Sequence, residues 1–280
     1  VLILTSLVMV LMIMQGAVPS SAERLCTCKG GWRHKIDGGL KHVSVGRAGV
    51  WGVNNNDNIY YRRDTYGDNE NPGTTWTQIA GGLKQVDVGD DMVWGVNSND
   101  DIFYRSDINE GDQDGAEWVK IDGKLKHISV SQKGHVWGVN SGDKIYHRIG
   151  VSGCSKAGSS WKLIAGGLKQ ISVGSSGVWG VNSGDQIFYR QGTFGDPVED
   201  TDGSGWTNVA GGLKYISSAE VVYGVNAGDS IYYRAGVCEE TPVGTSWVQI
   251  AGGLKQIESL SPVVWGVNSN ANIYTKEDDA

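Results

Sequence analysis

Five aspartates, Asp57, Asp100, Asp143, Asp185 and Asp229, recur along the chain, and each is followed five residues later by an arginine: Arg62, Arg105, Arg148, Arg190 and Arg234. A carboxylate and a guanidinium repeated in this way offer acceptors and forked donors to the hydroxyls of a polar ligand. The same groups also have a plain structural use, with Asp capping a hairpin turn and Arg forming an ion pair between neighbouring units. Nothing in the pattern suggests catalysis. The sequence holds no His-Glu-x-x-His and no Gly-x-Ser-x-Gly elbow, and its five histidines, His34, His42, His127, His135 and His147, are scattered. Paired carboxylates such as Asp90 and Asp91 or Glu239 and Glu240 fall in polar loops. The chain is therefore expected not to be an enzyme.

The elements that would position these residues are legible from a repeat. Gly-Val-Asn triplets begin at Gly52, Gly95, Gly138, Gly180, Gly224 and Gly266, and a second ladder runs through Trp32, Trp76, Trp118, Trp161, Trp206 and Trp247. A period of about 43 residues made of short β-rich runs predicts an all-β, six-bladed β-propeller, because one blade cannot bury both its faces alone. In the second repeat the runs are Leu83 to Val88, Met92 to Asn97, Ile102 to Arg105 and Trp118 to Ile121, separated by turn residues and by a long polar loop from Ser106 to Glu117.

With the first run innermost, Trp32 to Ile36 stands before the first complete blade and Ile273-Tyr274-Thr275 lacks an outermost partner. The N-terminal strand is thus expected to complete the last blade and close the ring. The regular tryptophans, with Tyr223 standing in at one position, read as packing between blades. Gly52 and its equivalents read as places of close approach. The Asn that ends each second strand, from Asn54 to Asn268, suits a turn.

Composition sets the boundaries. Residues 1 to 22 read as a secretory signal: an apolar run from Val1 to Met14, then small residues, with Ser20 and Ala22 placed for cleavage before Glu23. The run is too short to be read as a membrane anchor. Residues 23 to 280 form one domain with no further membrane-spanning segment, and the expected localisation is secreted and extracellular. The formal net charge of −7 argues against nucleic acid as a partner. Four cysteines, Cys26, Cys28, Cys154 and Cys238, favour disulfides in such a chain; the pairing stays open, with bonds from the N-terminal pair to the later two preferred over a bridge within Cys26-Thr27-Cys28.

The pattern Gly-Gly-Leu-Lys-Gln-Ile-Ser-Val-Gly followed by Val-Trp-Gly-Val-Asn-Ser-Gly-Asp-Gln-Ile-Phe-Tyr-Arg, nearly intact over residues 166 to 190, resembles the tectonin-repeat lectins, above all the fish-egg and tachylectin-1 types. The resemblance runs through all six repeats. It implies a non-catalytic propeller that binds N-acetylglucosamine or related microbial surface glycans in clefts between blades, in egg or innate defence. It also suggests calcium in the central channel, although no cofactor is required by the residues themselves. Sugar recognition needs a flat apolar surface and polar groups for hydroxyls, and the five Asp and five Arg are the polar candidates.

The sixth repeat departs from the pattern, with Ala271 for the turn Asp and Thr275-Lys276 for the usual ending, so fewer than six working sites are expected. Several weak contacts on one surface would still give strong attachment. The alternative function is a protein-binding propeller using the long loops, such as Asp64 to Thr75 and Gln191 to Gly205, as its contact face. Homodimerisation is left open.

Overall fold

The computed structural model describes residues 34–68, 70–196 and 201–277. The segment expected to be a secretory signal (residues 1–22), Cys26, Cys28 and Trp32 lie outside these residues. The described strands form six four-stranded antiparallel sheets. Strand β1 (His34–Ile36) precedes the first blade, which contains β2 (His42–Gly46), β3 (Gly49–Val53), β4 (Ile59–Arg62) and β5 (Trp76–Ile79). Blade 2 is β6 (Gln85–Val88), β7 (Val93–Val96), β8 (Ile102–Arg105) and β9 (Trp118–Ile121), and blade 3 is β10 (His127–Val130), β11 (Val136–Val139), β12 (Ile145–Ile149) and β13 (Ser160–Ile164). Blade 4 is β14 (Gln170–Gly174), β15 (Gly177–Val181), β16 (Ile187–Arg190) and β17 (Trp206–Val209), and blade 5 is β18 (Tyr215–Ser218), β19 (Val222–Val225), β20 (Ser230–Ala235) and β21 (Ser246–Gly253). Blade 6 combines β22 (Gln256–Leu260), β23 (Val263–Val267) and β24 (Ile273–Glu277) with β1, and His34 lies opposite Thr275.

The first strand of each blade lies innermost, and neighbouring first strands pack side by side around a central channel. Between blades sit the second-strand aromatics. Trp51, Trp94, Trp137, Trp179, Trp265 and Tyr223 are buried, and each packs with aliphatic residues of the next blade; Trp51, for example, joins Leu83 and Val86. Each such ring removes enough apolar surface from water to contribute on the order of 4 kcal/mol. The glycine after this aromatic is required by contact. A Cβ at Gly52 would lie 2.4 Å from Leu40 Cδ1, and one at Gly138 the same distance from Leu125 Cδ1, because the leucine of the Gly-Gly-Leu segment, Gly123-Lys124-Leu125 in the latter case, folds over that backbone.

The inner strands would leave backbone donors open on the channel side, and side chains of the preceding blade cover them. Val88, Val130, Val173, Ser218 and Ser259 donate their N–H groups to Ser44, Asp87, Ser129, Ser172 and Ser217 respectively, at 2.5–3.1 Å. In blades 2, 4 and 6 a glutamine adds a two-point bond. Gln85, Gln170 and Gln256 each accept from and donate to the backbone of Ile128, Ile216 and Val43. The equivalent residues of blades 1, 3 and 5 are His42, His127 and Tyr215, whose rings meet with centroids 5.7–6.4 Å apart.

Cys154 and Cys238 are both exposed, and no disulfide joins them to each other; the bonds preferred for them run to Cys26 and Cys28, which lie outside the described residues. Both sit in loops between third and fourth strands, where each loop is already fastened by an arginine.

Candidate functional site

The turn between second and third strands is built by its asparagine. Asn54 Oδ1 accepts the N–H groups of Asn56 and Asn58 at 2.9 and 3.0 Å, and Asn97, Asn140, Asn182, Asn226 and Asn268 do the same in their own blades. This brings the chain to a left-handed residue: Asp57, Asp100, Asp143, Asp185 and Asp229 have φ of 61–65°, and Ala271 has 63°. Aspartate tolerates that conformation better than most side chains, which accounts for its recurrence.

Each turn then reaches the next blade. The carbonyls of Asp57, Asp100, Asp143, Asp185, Asp229 and Ala271 accept the N–H of Leu83, Leu125, Leu168, Leu213, Leu254 and Leu40, at 2.9–3.0 Å. The five carboxylates form ion pairs with Lys41, Lys84, Lys126, Lys169 and Lys214 of their own blades. Ser98, Ser141, Ser183 and Ser269 of the following blade donate to the second oxygen of Asp57, Asp100, Asp143 and Asp229. Desolvation pulls Asp57 and Asp100 upward, but these bonds outweigh it, and both titrate below the ordinary aspartate value. At Asp143 and Asp229 the lysine bond is the main cause of the same downward shift.

The arginines face elsewhere. Arg62, Arg105, Arg148 and Arg190 are buried, and Arg234 is partly buried. Each Nε donates to a carbonyl of the loop before the fourth strand, at Pro72, Asp114, Ala157, Asp202 and Val243. Each guanidinium lies 5.1–5.4 Å from the ring centre of the outer tryptophan of its own blade. These tryptophans in turn stitch blades together, as Trp76 Nε1 does by donating to the Asp37 carbonyl at 2.8 Å and Trp161 Nε1 to that of Asp122 at the same distance.

Clefts of one kind open between blades among the described residues. One of about 280 Å³ is lined by Gly38, Gly39, Leu40, Asn54, Tyr60 and Trp76. Another of about 240 Å³ is lined by Ile102, Gly123, Lys124, Leu125, Asn140, Tyr146 and Trp161. A third of about 250 Å³ lies against Gly252, Gly253, Leu254 and Tyr274. None of the five arginines lines these clefts, and the five aspartates stand at turns beside them. The lining residues that sequence reasoning passed over are the Gly-Gly-Leu segment, the turn Asn and the first aromatic of the third strand. The signal was present, since that aromatic alternates between Tyr60, Tyr146, Tyr232 and Tyr274 and the hydroxyl-free Phe103 and Phe188. Asn54 and Asn140 point their amides at Tyr60 and Tyr146 Oη, at 3.4 and 3.5 Å, whereas the amides of Asn97 and Asn182 turn to Asp101 and Gln186.

The channel does not fit the suggested calcium. Such an ion takes six to eight oxygens. The channel carboxylates are Asp87 and Glu258, and both are committed to the wall: Asp87 accepts from Ser44 Oγ and the Val130 N–H, and Glu258 accepts from Ser217 Oγ. No group of three or more His, Cys, Asp or Glu is placed to hold a metal among the described residues. Burial raises Asp87 to about 6 and Glu258 well above its ordinary value. It also lowers His127 to about 3 and His42 well below the usual imidazole range. Burial thus disfavours the charged form of each of these four groups.

This architecture is that of a repeat-built β-propeller with recesses between its blades. The chain belongs to the Tectonin domain family, which matches residues 17–123 and 68–269. A segment of 35 residues is 57% identical to the 31 kDa subunit of perivitellin-2 from Pomacea maculata; the match spans 12% of this chain and 12% of that protein. Solved structures share the fold at low identity. Yeast RCC1 (Prp20) bound to Kap60 aligns with a TM-score of 0.55 and 11% identity over 84% of this chain and 69% of its own. Human WBSCR16 gives 0.55 and 10% over 88% and 78%, and YCF48 bound to D1 peptide gives 0.51 and 13% over 86% and 78%.

Proposed function

We propose that this tectonin propeller is a non-catalytic lectin that binds N-acetylglucosamine-type glycans in its inter-blade clefts, and that it acts outside the cell in egg or innate defence. The observation that carries the reading is the composition of the cleft in blade 1. Trp76 and Leu40 supply apolar surface for a pyranose face, Asn54 and Tyr60 supply an amide and a hydroxyl for ring substituents, and Gly38 and Gly39 leave backbone accessible. The same set, with Lys124 in place of the second glycine, recurs around Tyr146 and Trp161. Individual contacts of this kind are weak, about 4 kcal/mol at millimolar affinity, and attachment to a glycan surface would come from several clefts engaging at once.

A second reading, a protein-binding propeller, draws on two exposed aliphatic side chains of the outer strands, Leu163 and Val248. The two are separated by retention of the mature chain on an N-acetylglucosamine resin. Release by free sugar supports the lectin, and failure to bind any glycan on an array would leave the protein-binding reading.

A further inference from the structure

We propose that the cleft at the seam between blades 6 and 1 takes a sugar bearing a carboxylate, seated where Ala271 leaves a carboxylate out of the repeat; this rests on reading the clefts as sugar sites. Five blades show how a carboxylate sits on this rim. In blades 1 to 5 the turn Asp accepts from the lysine that follows Gly-Gly-Leu or its equivalent, and in four of them it also accepts from a serine of the next blade.

Blade 6 keeps everything except the acid. Its turn has the same left-handed residue, with φ 63°, and Ala271 still accepts the Leu40 N–H at 3.0 Å. Lys255 occupies the lysine position and has no ion-pair partner among the described residues. Burial lowers its pKa, and the charges of neighbouring Lys41 and Lys214 add to the effect against a smaller opposing influence of Asp229. In blade 1, Asn55 stands where blades 2, 3, 4 and 6 carry the donating serine and blade 5 carries Ala227. An ammonium unpaired among the described residues therefore stands at a position whose equivalents pair with carboxylates, with an amide-bearing residue in place of the serine, and both side chains can donate.

The position adjoins a cleft. Leu40, bonded to Ala271, forms one wall of the recess that also contains Asn54, Tyr60 and Trp76. A pyranose resting there would carry an acidic substituent toward the rim. The turns of blades 1 to 5 carry an Asp–Lys pair at the corresponding place, so the seam favours an acidic over a neutral ring.

The test is an NMR titration of the mature chain at low salt with methyl glucuronide, methyl glucoside, N-acetylglucosamine and, separately, acetate, repeated on Lys255→Met and Ala271→Asp. Aspartate is well tolerated in the left-handed turn, so Ala271→Asp keeps the fold and supplies the missing acid from within. The wild-type protein should bind glucuronide roughly tenfold more tightly than glucoside, with shifts at Asn55, Lys255 and Ala271. Both variants should lose that preference and retain N-acetylglucosamine binding. Equal affinities for the two glycosides in the wild type, or a preference that survives in both variants, would overturn the proposal while leaving the lectin reading intact. A response to acetate with none to any sugar would overturn the lectin reading and the acidic-sugar proposal with it.

Discussion

Gln256 grips Val43 across the seam between the sixth and first blades, its Oε1 accepting the Val43 N–H at 3.1 Å while its Nε2 donates to the Val43 carbonyl at 2.8 Å. Both partners are buried. The side chain thus does for the inner edge of β2 what another strand would do, and the alternation of Gln with His or Tyr gives the channel an approximate threefold order inside a sixfold ring.

Replacing Gln256 with Ala should therefore destabilise the protein by about 2–4 kcal/mol, since two buried backbone groups lose their partners at once. Urea denaturation followed by tryptophan fluorescence checks it. A midpoint equal to that of the wild type would mean that water or a local shift takes over both bonds.

Arg105 should matter to stability rather than to sugar. Its Nε and NH2 donate to the carbonyls of Asp114 and Gly115 at 2.8 and 3.0 Å, and its guanidinium packs on Trp118. Arg105→Ala is expected to cost about 2–4 kcal/mol and to free the loop for proteolysis, with glycan binding by the folded fraction unchanged. Loss of binding at unaltered stability would return the arginine to the site.

Much of this frame could be read from residue spacing alone. The two ladders of Trp and Gly-Val-Asn fix blade number and strand order because every blade must bury the same faces, and β8 and β9 run over the residues expected of them. The site was harder. Asp57 and Arg62 have the chemistry of ligand-binding groups, but one is committed to a lysine and the other to loop carbonyls. A period reports that a residue type is needed at a position, and turn geometry or loop anchoring creates that need as strongly as a ligand does. The residues that line the clefts, such as Leu40 and Asn54, read as ordinary core and turn positions, and only the fold brings them to one recess.

The buried acid Asp87 sets the pH dependence. Desolvation holds it near 6, with Glu258 as a second buried acid and Tyr215, His42 and His127 in the adjoining layer. A carboxyl raised in the folded state contributes stability that is complete below its unfolded value near 4 and is lost as pH rises through about 6. The lowered rim aspartates act in the opposite sense, losing their contribution as pH falls below the ordinary range, but they are partly exposed and count for less. Stability should thus decline from pH 4 to 7. Asp87→Ser, which copies Ser44 and Ser129, should keep the N–H bond to Val130 and flatten the decline. A wild-type profile already flat over that range would show that the acid is not held neutral.

Tyr60 and Tyr146 are expected to mark working clefts. Their hydroxyls face the amides of Asn54 and Asn140, so a sugar hydroxyl entering either recess meets a donor and an acceptor together. In blades 2 and 4 Phe103 and Phe188 offer no such oxygen, and the amides of Asn97 and Asn182 are already satisfied by Asp101 and Gln186. Removing a single neutral hydrogen bond costs about 0.5–1.5 kcal/mol, so Tyr60→Phe and Tyr146→Phe should each weaken one cleft by roughly two- to tenfold without loss of fold. Calorimetric titration with N-acetylglucosamine reads this as a drop in the number of sites of the tighter class. In the double variant that class should shrink by two, and avidity for a multivalent resin should fall more steeply than monosaccharide affinity, because attachment depends on simultaneous engagement. An unchanged titration in the double variant would assign Tyr60 and Tyr146 to cleft packing and move sugar recognition to other groups.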